Sequence, residues 1–596
     1  MRAKLRSGRV LVAALGLVSA RGLSARSAMA SKRIVVWFKG TNDLRVHDNP
    51  LLARAAQLCA ELGGDAEVVP AYSFDPFFFG VSELGSNKMG PHRARFLVES
   101  VADLRAQLRA QCASDLLVGV GPPERLIGPL VGSAPAGGAV LLMSDEVASE
   151  EREAVGRVRS AVRATGTPCD VESFWMSTVY HRDDLPFGGG ARGARANGGG
   201  LERMPDMFTP FKERVERELA TRPMARTPAA GELPLPPKRD ALASDGVTAG
   251  ECARGFDLLP SLAQLGMAEP MDDPRGVLRF VGGEAAALRR VRHYLWDTDC
   301  LRSYFETRNG MIGADYSSKL SPWLAHGCLS PLKVVEEVGR YEAARVKNKS
   351  TYWLIFELLW RDFFRFYAVK HGNAIFKLGG ITGERREWVT GAQAAERLRR
   401  WKEGSTGLPL VDANMREMAA TGFMSNRGRQ NVASYLALDL AVDWRLGADH
   451  FEGLLLDYDV ASNWGNWVSA AGLARAGRVN QFNIVKQGRD YDADGAYVRL
   501  WCPELRAVPA EYIHTPWEMP QQLQDKLGVR IGEDYPSPLA VPPGHAFRGA
   551  YAGGRRPATG NAPIGGRAPN TDRFGRRPSD GGGAGEPGAG SARRRP

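Results

Sequence analysis

Cysteine is scarce and unpaired in this sequence. The 7 cysteines among 596 residues form no C-x-x-C pair and are odd in number. A disulfide framework or a zinc site is therefore not expected, and buried free thiols in a reducing compartment fit the pattern better. The chain also lacks an apolar run long enough to cross a bilayer, so we predict no membrane-spanning segment. No metal site is predicted.

Acidic residues are absent from the first 33 residues, which contain several Arg and Ser and a short apolar core from Val10 to Val18. This composition is typical of a cleaved targeting segment, which we assign to residues 1–32. An organelle is the expected destination, with the plastid favoured and the mitochondrion as the alternative. A basic N-terminus without a targeting role is the other interpretation.

Positive charge is in excess, with 78 Lys and Arg against 67 Asp and Glu and a formal net charge of +11. Such an excess favours a polyanionic partner, although part of it lies in the two ends of the chain. From Phe547 onward the sequence has few large apolar residues and repeated Arg–Gly pairs, which predicts disorder. Arg/Gly tails commonly bind single-stranded nucleic acid, including RNA; a solubilising tail is the alternative.

Apolar β-rich runs alternate with helical stretches over residues 33–175, which predicts an α/β domain with a Rossmann-like parallel sheet. The turn after the first strand lacks the glycine fingerprint of a dinucleotide site, so we do not expect a diphosphate to bind there. The predicted strands are Ile34–Phe38, Ala66–Phe74, Asp115–Val120 and Ala139–Ser144, and the predicted helices are Pro50–Leu62, Pro91–Arg109 and Glu150–Ala164.

The rest of the chain follows a helical pattern. Residues 176–281 are assigned to an interdomain connector, which a Gly-rich insert at Phe187–Gly200 interrupts. Residues 282–520 show helical stretches without β alternation, which predicts an all-α C-terminal domain. Residues 521–596 are assigned to a disordered, Arg/Gly-rich tail.

Polar side chains crowd both flanks of an amphipathic stretch at residues 421–469. On a helix, Asp459, Asn463 and Trp467 fall at i, i+4 and i+8, close to one face. A carboxylate, an amide and an indole on one stripe could bind a large planar polar ligand. From spacing alone, the alternative is a capped, salt-bridged helix pair around a tryptophan core.

Four long motifs resemble the flavin-domain motifs of the photolyase/cryptochrome family, and most closely those of its DASH branch. They are SSKLSPWLAHGCLSP at residues 317–331, FELLWRDFFRF at 356–366, SNRGRQ at 425–430 and DYDVASNWGNW at 457–467. Several irregular motifs in register are a specific signal. The resemblance extends from about Lys32 to about Trp517, and it implies that the all-α domain binds flavin adenine dinucleotide (FAD).

The resemblance implies a contact for each part of FAD. It assigns the diphosphate to a serine-rich loop before a helix, where hydroxyl and free N–H groups favour an anion. It places Asn463 opposite N5 of the flavin ring, where a neutral amide can accept a hydrogen bond from protonated N5. The complete predicted set is Tyr304, Ser317, Ser318, Lys319, Leu320, Ser321, Glu357, Arg361, Asn426, Arg429, Asp457, Asp459 and Asn463.

The resemblance also implies an electron path to the flavin. Trp467 and Trp444 match the first two members of the family's tryptophan relay. Trp388 is the nearest candidate for the outermost member, although its segment is about three residues longer than the family's spacing. A single tryptophan is usually a core residue, so the order of the three carries this prediction.

The implied reaction is light-driven electron transfer from reduced FAD to a cyclobutane pyrimidine dimer, which must be flipped out of the strand to reach a buried flavin. Glu357 matches the acid that hydrogen-bonds the dimer. Asn426 contacts the same pocket, and Trp360 offers a stacking face.

Two residues of the implied lesion pocket depart from duplex-repairing relatives. Gln430 replaces a methionine, as it does in the DASH branch, and Ser469 replaces an expected aromatic residue. Because base–aromatic stacking contributes about 1–3 kcal/mol, we expect a weaker grip on the dimer and single-stranded DNA as the substrate of a monomeric protein. The alternative is a photoreceptor that binds nucleic acid or a partner and signals by flavin photoreduction. A third is an Arg/Gly RNA-binding protein with a vestigial flavin domain.

Two motifs of the α/β domain also recur in the family. Glu150 and Glu151 begin a predicted helix, and the resemblance implies that a carboxylate there can bind a folate antenna, 5,10-methenyltetrahydrofolate. Alternatively, the two acids only complement the helix dipole. The segment Asp43–Asn49 could hold Arg45 among carboxylates in a structural role.

Overall fold

The computed structural model describes residues 31–187, 201–236, 259–475, 479 and 481–541. The predicted targeting segment up to residue 30, most of the Gly-rich insert and the Arg/Gly tail lie outside these ranges. All the described residues lie within one compact unit.

The N-terminal domain contains five parallel strands in the order β3-β2-β1-β4-β5. Helices cover both faces, so the central strands β1 and β4 are buried runs of mainly apolar residues, and the predicted Rossmann-like α/β domain is confirmed. The elements are β1 (Lys32–Phe38), α1 (Pro50–Glu61), β2 (Ala66–Phe74), α2 (Pro91–Cys112), β3 (Leu117–Val120), α3 (Pro123–Gly132), β4 (Ala139–Ser144), α4 (Ser149–Ala164) and β5 (Cys169–Phe174).

Alternate side chains of the central strand β1 enter two different cores. Ile34 and Val36 pack on the side of α1 and α2, whereas Val35 packs with Leu126 of α3 and Val158 of α4. β1 pairs with β2 and with β4 in parallel register. Both faces of this strand are therefore needed to explain its unbroken apolar run.

The sequence pattern does not predict two elements of this domain. The edge strand β5 reads CDVESF and buries few of its side chains, so it lacks an apolar run. Helix α3 is 10 residues long and contains Pro129, which weakens its helical signal. Tertiary packing against α4 and the sheet stabilises α3 instead of local propensity.

After β5, the regular elements of the described residues are helical, which confirms the all-α C-terminal domain. The α-helices are α5 (Phe208–Glu218), α6 (Glu284–Arg292), α7 (Tyr304–Thr307), α8 (Ser321–Ala325), α9 (Pro331–Ala344), α10 (Lys349–His371), α11 (Gly391–Lys402), α12 (Pro409–Thr421), α13 (Asn426–Ser434), α14 (Trp444–Leu454), α15 (Val460–Ala470), α16 (Ile484–Tyr491), α17 (Ala496–Trp501) and α18 (Gln521–Leu527). π-Helical turns at His293–Asp297 and Tyr435–Asp439 extend α6 and α13. Short 3₁₀ turns are formed at Pro76–Phe79, Arg182–Asp184, Ala263–Leu265, Cys300–Ser303, Gly372–Phe376, Pro503–Leu505 and Pro516–Glu518.

The folded chain continues past residue 520, where the disordered tail was expected to begin. Helix α18 follows directly, and Tyr535 is fully buried with its hydroxyl donating to Asp412 at 2.6 Å. Leu539 N donates to Thr406 O at 2.9 Å. Val529 lies in the same hydrophobic core as Tyr535, and Leu523, Ile531 and Leu539 pack against it, so several contacts dock the segment. The tail boundary is therefore corrected to beyond residue 541.

Arg45 fastens the α/β domain to its neighbours. Its side chain is 1% exposed and donates to the carbonyl oxygens of Asn42 at 2.7 Å, Asp48 at 3.0 Å, Met176 at 3.2 Å and Gly327 at 3.0 Å. The expected carboxylate neighbours are thus replaced by backbone carbonyls as direct partners. Because Met176 belongs to the connector and Gly327 to the all-α domain, one guanidinium joins three parts of the chain.

Asp362 of α10 performs a similar task from the helical side. It is fully buried, and its two oxygens accept hydrogen bonds from the backbone N–H groups of Val179 and Tyr180, both at 3.0 Å. Burial raises the pKa of this carboxyl to about 7. Without this side chain, two buried N–H donors of the connector would lose their partners.

The described residues contain no helix long and apolar enough to cross a bilayer. Within the same ranges, no group of three or more His, Cys, Asp or Glu side chains is placed to hold a metal ion. The six described cysteines are free thiols.

We predict that Asp362→Ala destabilises the protein by roughly 2–6 kcal/mol, because each buried donor left without a partner costs about 1–3 kcal/mol. The free energy of unfolding in urea measures this. The control is Asp170→Ala, whose side chain is 74% exposed, and for which we expect a change within about 0.5 kcal/mol. Equal destabilisation by the two variants would contradict the assigned role of Asp362.

Candidate functional site

Asp459 organises the N-terminal end of α15. It caps the helix by accepting a hydrogen bond from Ser462 N at 2.8 Å, and it lies 3.4 Å from Arg365 and 3.9 Å from Arg361, both on α10. Burial alone would raise the pKa of Asp459, but the two guanidinium charges outweigh it and hold the pKa below its ordinary value. One ionised carboxylate thereby joins α10 to α15.

Arg361 extends this junction toward the α/β domain. It donates to the carbonyl oxygen of Ser177, to that of Leu324 at 3.1 Å and to Asn42 Oδ1 at 3.2 Å. Burial lowers its pKa, although Asp459 opposes that shift. Its predicted place beside the flavin stays a prediction, because these contacts account for its position without a cofactor.

Asn463 is buried one turn along α15, and its orientation is fixed. The side-chain Nδ2 donates to the carbonyl oxygen of Ala448 on α14 at 3.0 Å. The Oδ1 is therefore left as an acceptor. An amide oxygen in this position could accept the hydrogen bond that is expected from a protonated flavin N5.

Arg429 of α13 and Asp457 form an ion pair before α15. Arg429 Nη2 lies 2.9 and 2.8 Å from the two carboxylate oxygens, and Arg429 Nε donates to Met424 O at 2.9 Å. The carboxylate is 2% exposed and the guanidinium 26% exposed. The arginine is thus anchored by a buried partner while part of its cationic group can still meet a ligand.

The serine-rich loop before α8 is shaped by a residue outside the motif. Arg290 of α6 donates to the carbonyl oxygens of Ser317 at 3.1 Å and Ser318 at 2.9 Å, and it pairs with Asp315 at 2.7 Å. Ser318 and Leu320 are buried, whereas Ser321 at the start of α8 is exposed. The motif itself does not reveal Arg290, because it lies far upstream in the sequence.

Lys319 occupies the centre of this loop with a left-handed backbone, φ 52°. It is 3% exposed, and its ammonium donates to Ala314 O at 2.9 Å. Burial, with a contribution from Arg290, lowers the pKa of Lys319 to about 7. A diphosphate at this loop would restore the charged form, since an anion favours a protonated amine. Tyr304, predicted to contact the same group, is buried at the start of α7.

Glu357 of α10 lies among cations and aromatic rings. Its Oε1 accepts from Trp353 Nε1 at 3.1 Å and lies 3.9 Å from Arg308 Nε. Burial raises the pKa of Glu357, and Arg308 and Trp353 oppose the shift without cancelling it. The carboxyl can therefore hold a proton in a pH range where an exposed glutamate has lost it.

Asn426 and Gln430 share one face of α13, and Asn426 is exposed as its first residue. Arg427 donates to Gln430 Oε1 at 2.9 Å and to Asn309 Oδ1 at 3.2 Å. Asn309 follows Arg308, so this arginine ties α13 to the segment beside Glu357. Ser469 is exposed near the end of α15.

Trp360 is not an open stacking face. The ring of Phe208, from α5 in the connector, stacks on it with centroids 3.7 Å apart and planes 11° apart. Phe364 stacks on it as well, with centroids at 5.7 Å. The expectation of a free indole face is corrected accordingly: Phe208 covers one side, and its distance in sequence hid this contact.

The tryptophans of the predicted relay lie on and beside α14 and α15. A Cβ added at Gly447 would lie 2.3 Å from Trp467 Cη2, so this indole rests against α14 one turn after Trp444. Trp444 is fully buried, with its Nε1 donating to Leu378 O at 3.1 Å. Trp388 is partly buried and packs against the hydrophobic core. Among the described residues it makes no ring contact with Trp444.

Two further tryptophans contact this pair and were missed by the motif comparison. Trp401 of α11 lies 6.0 Å from Trp467, centroid to centroid, and Trp464 lies 5.9 Å from Trp444. Trp464 belongs to the DYDVASNWGNW motif, so its presence was visible, but its direction on α15 was not. Spacing alone does not identify Trp401.

A cavity lies between the α/β domain and the all-α domain. It holds about 1090 Å³ of space free of protein atoms, its open mouth included, and its lining comprises Trp37, Lys39, Gly40, Thr41, Asn42, Tyr72, Ser73, Asp75, Phe78, Phe79, Met89, Arg93, Leu97, Pro123, Glu146, Glu150, Glu151, Ala154, Ala325, His326, Arg365, Glu452, Tyr458, Asp459 and Val460.

The two predicted antenna carboxylates differ in this cavity. Glu150 pairs with Lys88 at 2.5 Å. Glu151 has a buried Oε2 without a hydrogen-bond partner in the described structure. Burial raises the pKa of Glu151 to about 8, with Glu146 adding to the shift. Glu151 is therefore the carboxyl free to meet a ligand, and it can meet it as a neutral acid.

Comparison with known proteins agrees with this geometry. Residues 34–231 match the family described as DNA photolyase, and residues 353–542 match the FAD binding domain of DNA photolyase. A cryptochrome DASH, chloroplastic/mitochondrial, of Ostreococcus tauri is 48% identical over 86% of this chain and 91% of its own length. A cryptochrome DASH of Gloeobacter violaceus is also 48% identical, over 86% of this chain and 93% of its own length.

A solved structure shows the same fold. The cryptochrome of Synechocystis sp. PCC6803 superposes with a TM-score of 0.74 at 40% identity, covering 85% of this chain and 96% of that chain. The chain therefore belongs to the photolyase/cryptochrome family, and within that family to its DASH branch. Its all-α domain is an FAD-binding domain.

The residues present fit FAD. The serine-rich loop, the buried Lys319 and the partly exposed Arg429 supply donors and positive charge for a diphosphate. Asn463 supplies an acceptor for the ring. Tyr316 Oη is buried without a hydrogen-bond partner in the described part of the chain, so one further polar atom is left for a ligand.

We predict that Arg429→Met weakens FAD binding by roughly 10- to 100-fold, because a hydrogen bond to a charged group contributes about 1.5–3 kcal/mol and each 1.4 kcal/mol is tenfold in affinity. Titration of the apoprotein with FAD, followed by flavin fluorescence, measures the dissociation constant. Arg445→Met is the control, since Arg445 pairs with Asp443 at 2.7 Å in a more exposed position. If both variants bind FAD like the wild type, Arg429 does not hold the cofactor.

Proposed function

We propose that this chain uses blue light to repair cyclobutane pyrimidine dimers in single-stranded DNA. The observation that carries the proposal is Glu357, a half-buried carboxyl with a raised pKa beside Arg308 and Trp353. A protonated carboxyl can donate a hydrogen bond to a pyrimidine carbonyl oxygen. Such a donor, partly exposed to solvent, suits a flipped, damaged base.

The protein's own residues prepare the reaction. Reduced FAD, when bound, supplies the electron that opens the cyclobutane ring. Asn463 presents a fixed acceptor because its amide nitrogen is already engaged by Ala448. Trp467 and Trp444 form the inner part of the path by which electrons reach the flavin site, and their burial excludes water from it.

Cations and aromatic rings beside Glu357 support a nucleic-acid partner. We call Lys349, Phe305, Arg308 and Trp353 the cationic rim. Lys349 Nζ lies 3.4 Å from the centroid of Phe305, and Arg308 lies 4.3 Å from Phe305 and 4.7 Å from Trp353. The rim combines positive charge for a phosphate with rings for base stacking, which is the pattern of single-strand binding surfaces.

Single-stranded DNA is favoured over duplex because the lesion pocket offers little aromatic surface. Ser469 is an exposed serine, and Phe208 covers one face of Trp360. A pocket with less stacking energy provides less to offset the unpairing of a flipped base in duplex DNA. A lesion already unpaired avoids that cost.

A photoreceptor that signals by flavin photoreduction is the second candidate function. The implied lesion pocket favours this function as well. The buried tryptophans needed for photoreduction are present, whereas Ser469 offers no aromatic surface to a lesion. In that case the nucleic acid or another partner reads the state of the flavin.

We also propose that the interdomain cavity binds 5,10-methenyltetrahydrofolate. Glu151 supports this, since its buried Oε2, which has no hydrogen-bond partner in the described structure, can pair with a pterin edge inside this cavity.

Three further proposals rest on the sequence. The chain is directed to an organelle, plastid or mitochondrion; its relatives in Ostreococcus tauri and Arabidopsis thaliana are each called a chloroplastic/mitochondrial cryptochrome DASH, which supports this proposal. It acts as a monomer. The Arg/Gly tail adds affinity for single-stranded DNA or RNA.

We predict that Glu357→Gln lowers the repair rate by roughly 10²-fold, since an amide cannot release a proton to a pyrimidine oxygen. FAD absorption should be unchanged, and the loss of dimers from an illuminated oligonucleotide measures repair. Wild-type repair should fall as the pH rises through the raised pKa, because the acid then loses its proton. Glu306→Gln, an exposed neighbour, is the control. Unchanged repair in Glu357→Gln would mean that the pocket is wrongly placed.

We predict that Lys349→Ala weakens binding of undamaged single-stranded DNA and reduces the slope of log K against log salt by about 0.7, the value for one phosphate contact. Fluorescence anisotropy at several salt concentrations measures both. Lys486→Ala is the matched control, because Lys486 is 67% exposed and pairs with Asp490. A loss of affinity with an unchanged slope would exclude a phosphate contact by Lys349.

A further inference from the structure

Trp464 provides a second exit from the tryptophan relay. Its ring lies 5.9 Å from that of Trp444 at an angle of 76°, and 5.0 Å from Phe376. Trp464 is 7% exposed. Because electron tunnelling falls steeply with distance, a ring in contact with Trp444 is a competent next donor to an oxidised Trp444.

Beyond Trp464, the structure continues as a hydrogen-bonded chain. Trp464 Nε1 donates to Tyr458 Oη at 3.3 Å, and Tyr458 Oη donates to Glu452 Oε2 at 2.7 Å. The three residues come from α14, from the start of the DYDVASNWGNW motif and from α15. An indole, a phenol and a carboxylate are thus aligned in this order.

The carboxylate at the end of this chain can accept a proton. Burial raises the pKa of Glu452, while Lys88 at 3.7 Å opposes that shift. The group is therefore a stronger base than an exposed glutamate. Burial, followed by the charge of Glu452, raises the pKa of Tyr458 well above its ordinary value, so the phenol keeps its proton until it is oxidised.

We propose that Tyr458 is the terminal electron donor of a branch that leaves the relay at Trp444, passes through Trp464 and delivers the phenolic proton to Glu452. The inference rests on the proposed light-driven function, in which Trp444 carries an electron toward the flavin.

The step balances in electrons and protons. FAD, when bound in its oxidised form, would supply the light-driven oxidant and would take up one electron. That electron would pass from Trp464 through Trp444 and Trp467, and Trp464 would be left as a radical cation. Tyr458 gives one electron to that radical cation, and its O–H bond breaks. The proton binds Glu452 Oε2. The products are neutral Trp464, a neutral tyrosyl radical and a neutral carboxylic acid.

This outcome removes charge from a buried region. The positive charge on Trp464 and the negative charge on Glu452 are both cancelled, and a buried charge is costly in a medium of low polarity. Lys88 keeps a partner, because Glu150 lies 2.5 Å away. Electron transfer from Tyr458 to Trp464 is therefore difficult to reverse, since the reverse transfer must recreate two buried charges.

Trp401 shows what such a branch requires. It also contacts the relay, 6.0 Å from Trp467, and it is fully buried. Its Nε1 donates to the carbonyl oxygen of Val432 at 3.0 Å. A backbone carbonyl does not take a proton, and although the ring of His450 lies 5.7 Å from that of Trp401, it does not accept from the indole N–H. Of the two indoles described here as contacting the relay, Trp464 is the one whose N–H leads through hydrogen bonds to a carboxylate.

The branch ends at the interdomain cavity. Tyr458 and Glu452 both line it, so a ligand or a small reductant there can contact the tyrosyl end. Light-driven reduction at the flavin site is thereby linked to a second ligand site.

Electron paramagnetic resonance of the full-length, FAD-loaded protein tests the proposal. The sample is illuminated with blue light without an added reductant and frozen. We expect a tyrosyl signal in the wild type, its narrowing when the protein carries ring-deuterated tyrosine, and its loss in Tyr458→Phe. Glu452→Gln should also lose it, because an amide does not accept the proton. Tyr367→Phe is the control, since that buried hydroxyl donates to a carbonyl, Ala474 O, and the signal should persist.

The outcomes separate this branch from the function on which it rests. Bleaching of the oxidised-flavin band without any tyrosyl signal overturns the branch and leaves the relay standing. A signal that persists in Tyr458→Phe also overturns it. If the wild type does not bleach at all, the light-driven relay itself fails. If Tyr458→Phe does not fold, as judged by FAD absorption and thermal unfolding, the isotope arm and Trp464→Phe decide, and a tyrosyl signal in Trp464→Phe refutes the route.

Discussion

The carboxylate of Asp459 is the interaction on which the rest of the site depends. It caps α15, and it is held by Arg361 and Arg365 of α10. Arg365 also lies 3.4 Å from Glu146 of the α/β domain. The helix that carries Asn463 and Trp467 is therefore positioned by charges that belong to three different parts of the chain. Loss of Asp459 would leave Arg361 without its carboxylate partner, whereas Arg365 would keep Glu146, so Asp459 is the member on which the cluster depends.

Burial then gives the neighbouring groups their chemistry. Glu357, Glu151 and Glu452 are all carboxyls whose pKa burial raises. Their surroundings differ. Glu357 lies beside an arginine and an indole, and Glu452 lies beside a lysine and a phenol. One oxygen of Glu151 has no hydrogen-bond partner in the described structure. The same physical effect thus yields a hydrogen-bond donor, a vacant ligand contact and a base.

The architecture could be predicted from the sequence because it is written in local periodicity. Strands such as β1 and β4 are continuous apolar runs, and long helices such as α10 follow their own pattern. Two elements with weak local signals were not predicted. The edge strand β5 contains several polar residues, and α3 contains a proline. The prediction for the segment after residue 520 failed for another reason, since the contacts that dock it, such as that of Tyr535 with Asp412, join residues far apart in the sequence.

The composition of the site could be predicted from motifs, but its directions could not. The resemblance gave Asn463, Arg429 and Trp467 as residues, and the structure adds what each side chain touches. Residues that act across long sequence separations, such as Arg290 behind the serine-rich loop and Phe208 on Trp360, carry no motif of their own. Only packing reveals them, because a contact between distant segments leaves no periodic trace in either.

The buried guanidinium of Arg45 has a consequence for how the protein can be divided. Its carbonyl partners come from the first domain, the connector and the second domain, and Glu284 at the start of α6 accepts a hydrogen bond from Val46 N across the same boundary at 2.6 Å. Cutting the chain between the domains would strand these groups in an apolar environment without partners. The two domains therefore do not fold independently. Neither should be stable when it is expressed alone, and the two should unfold in a single cooperative thermal transition.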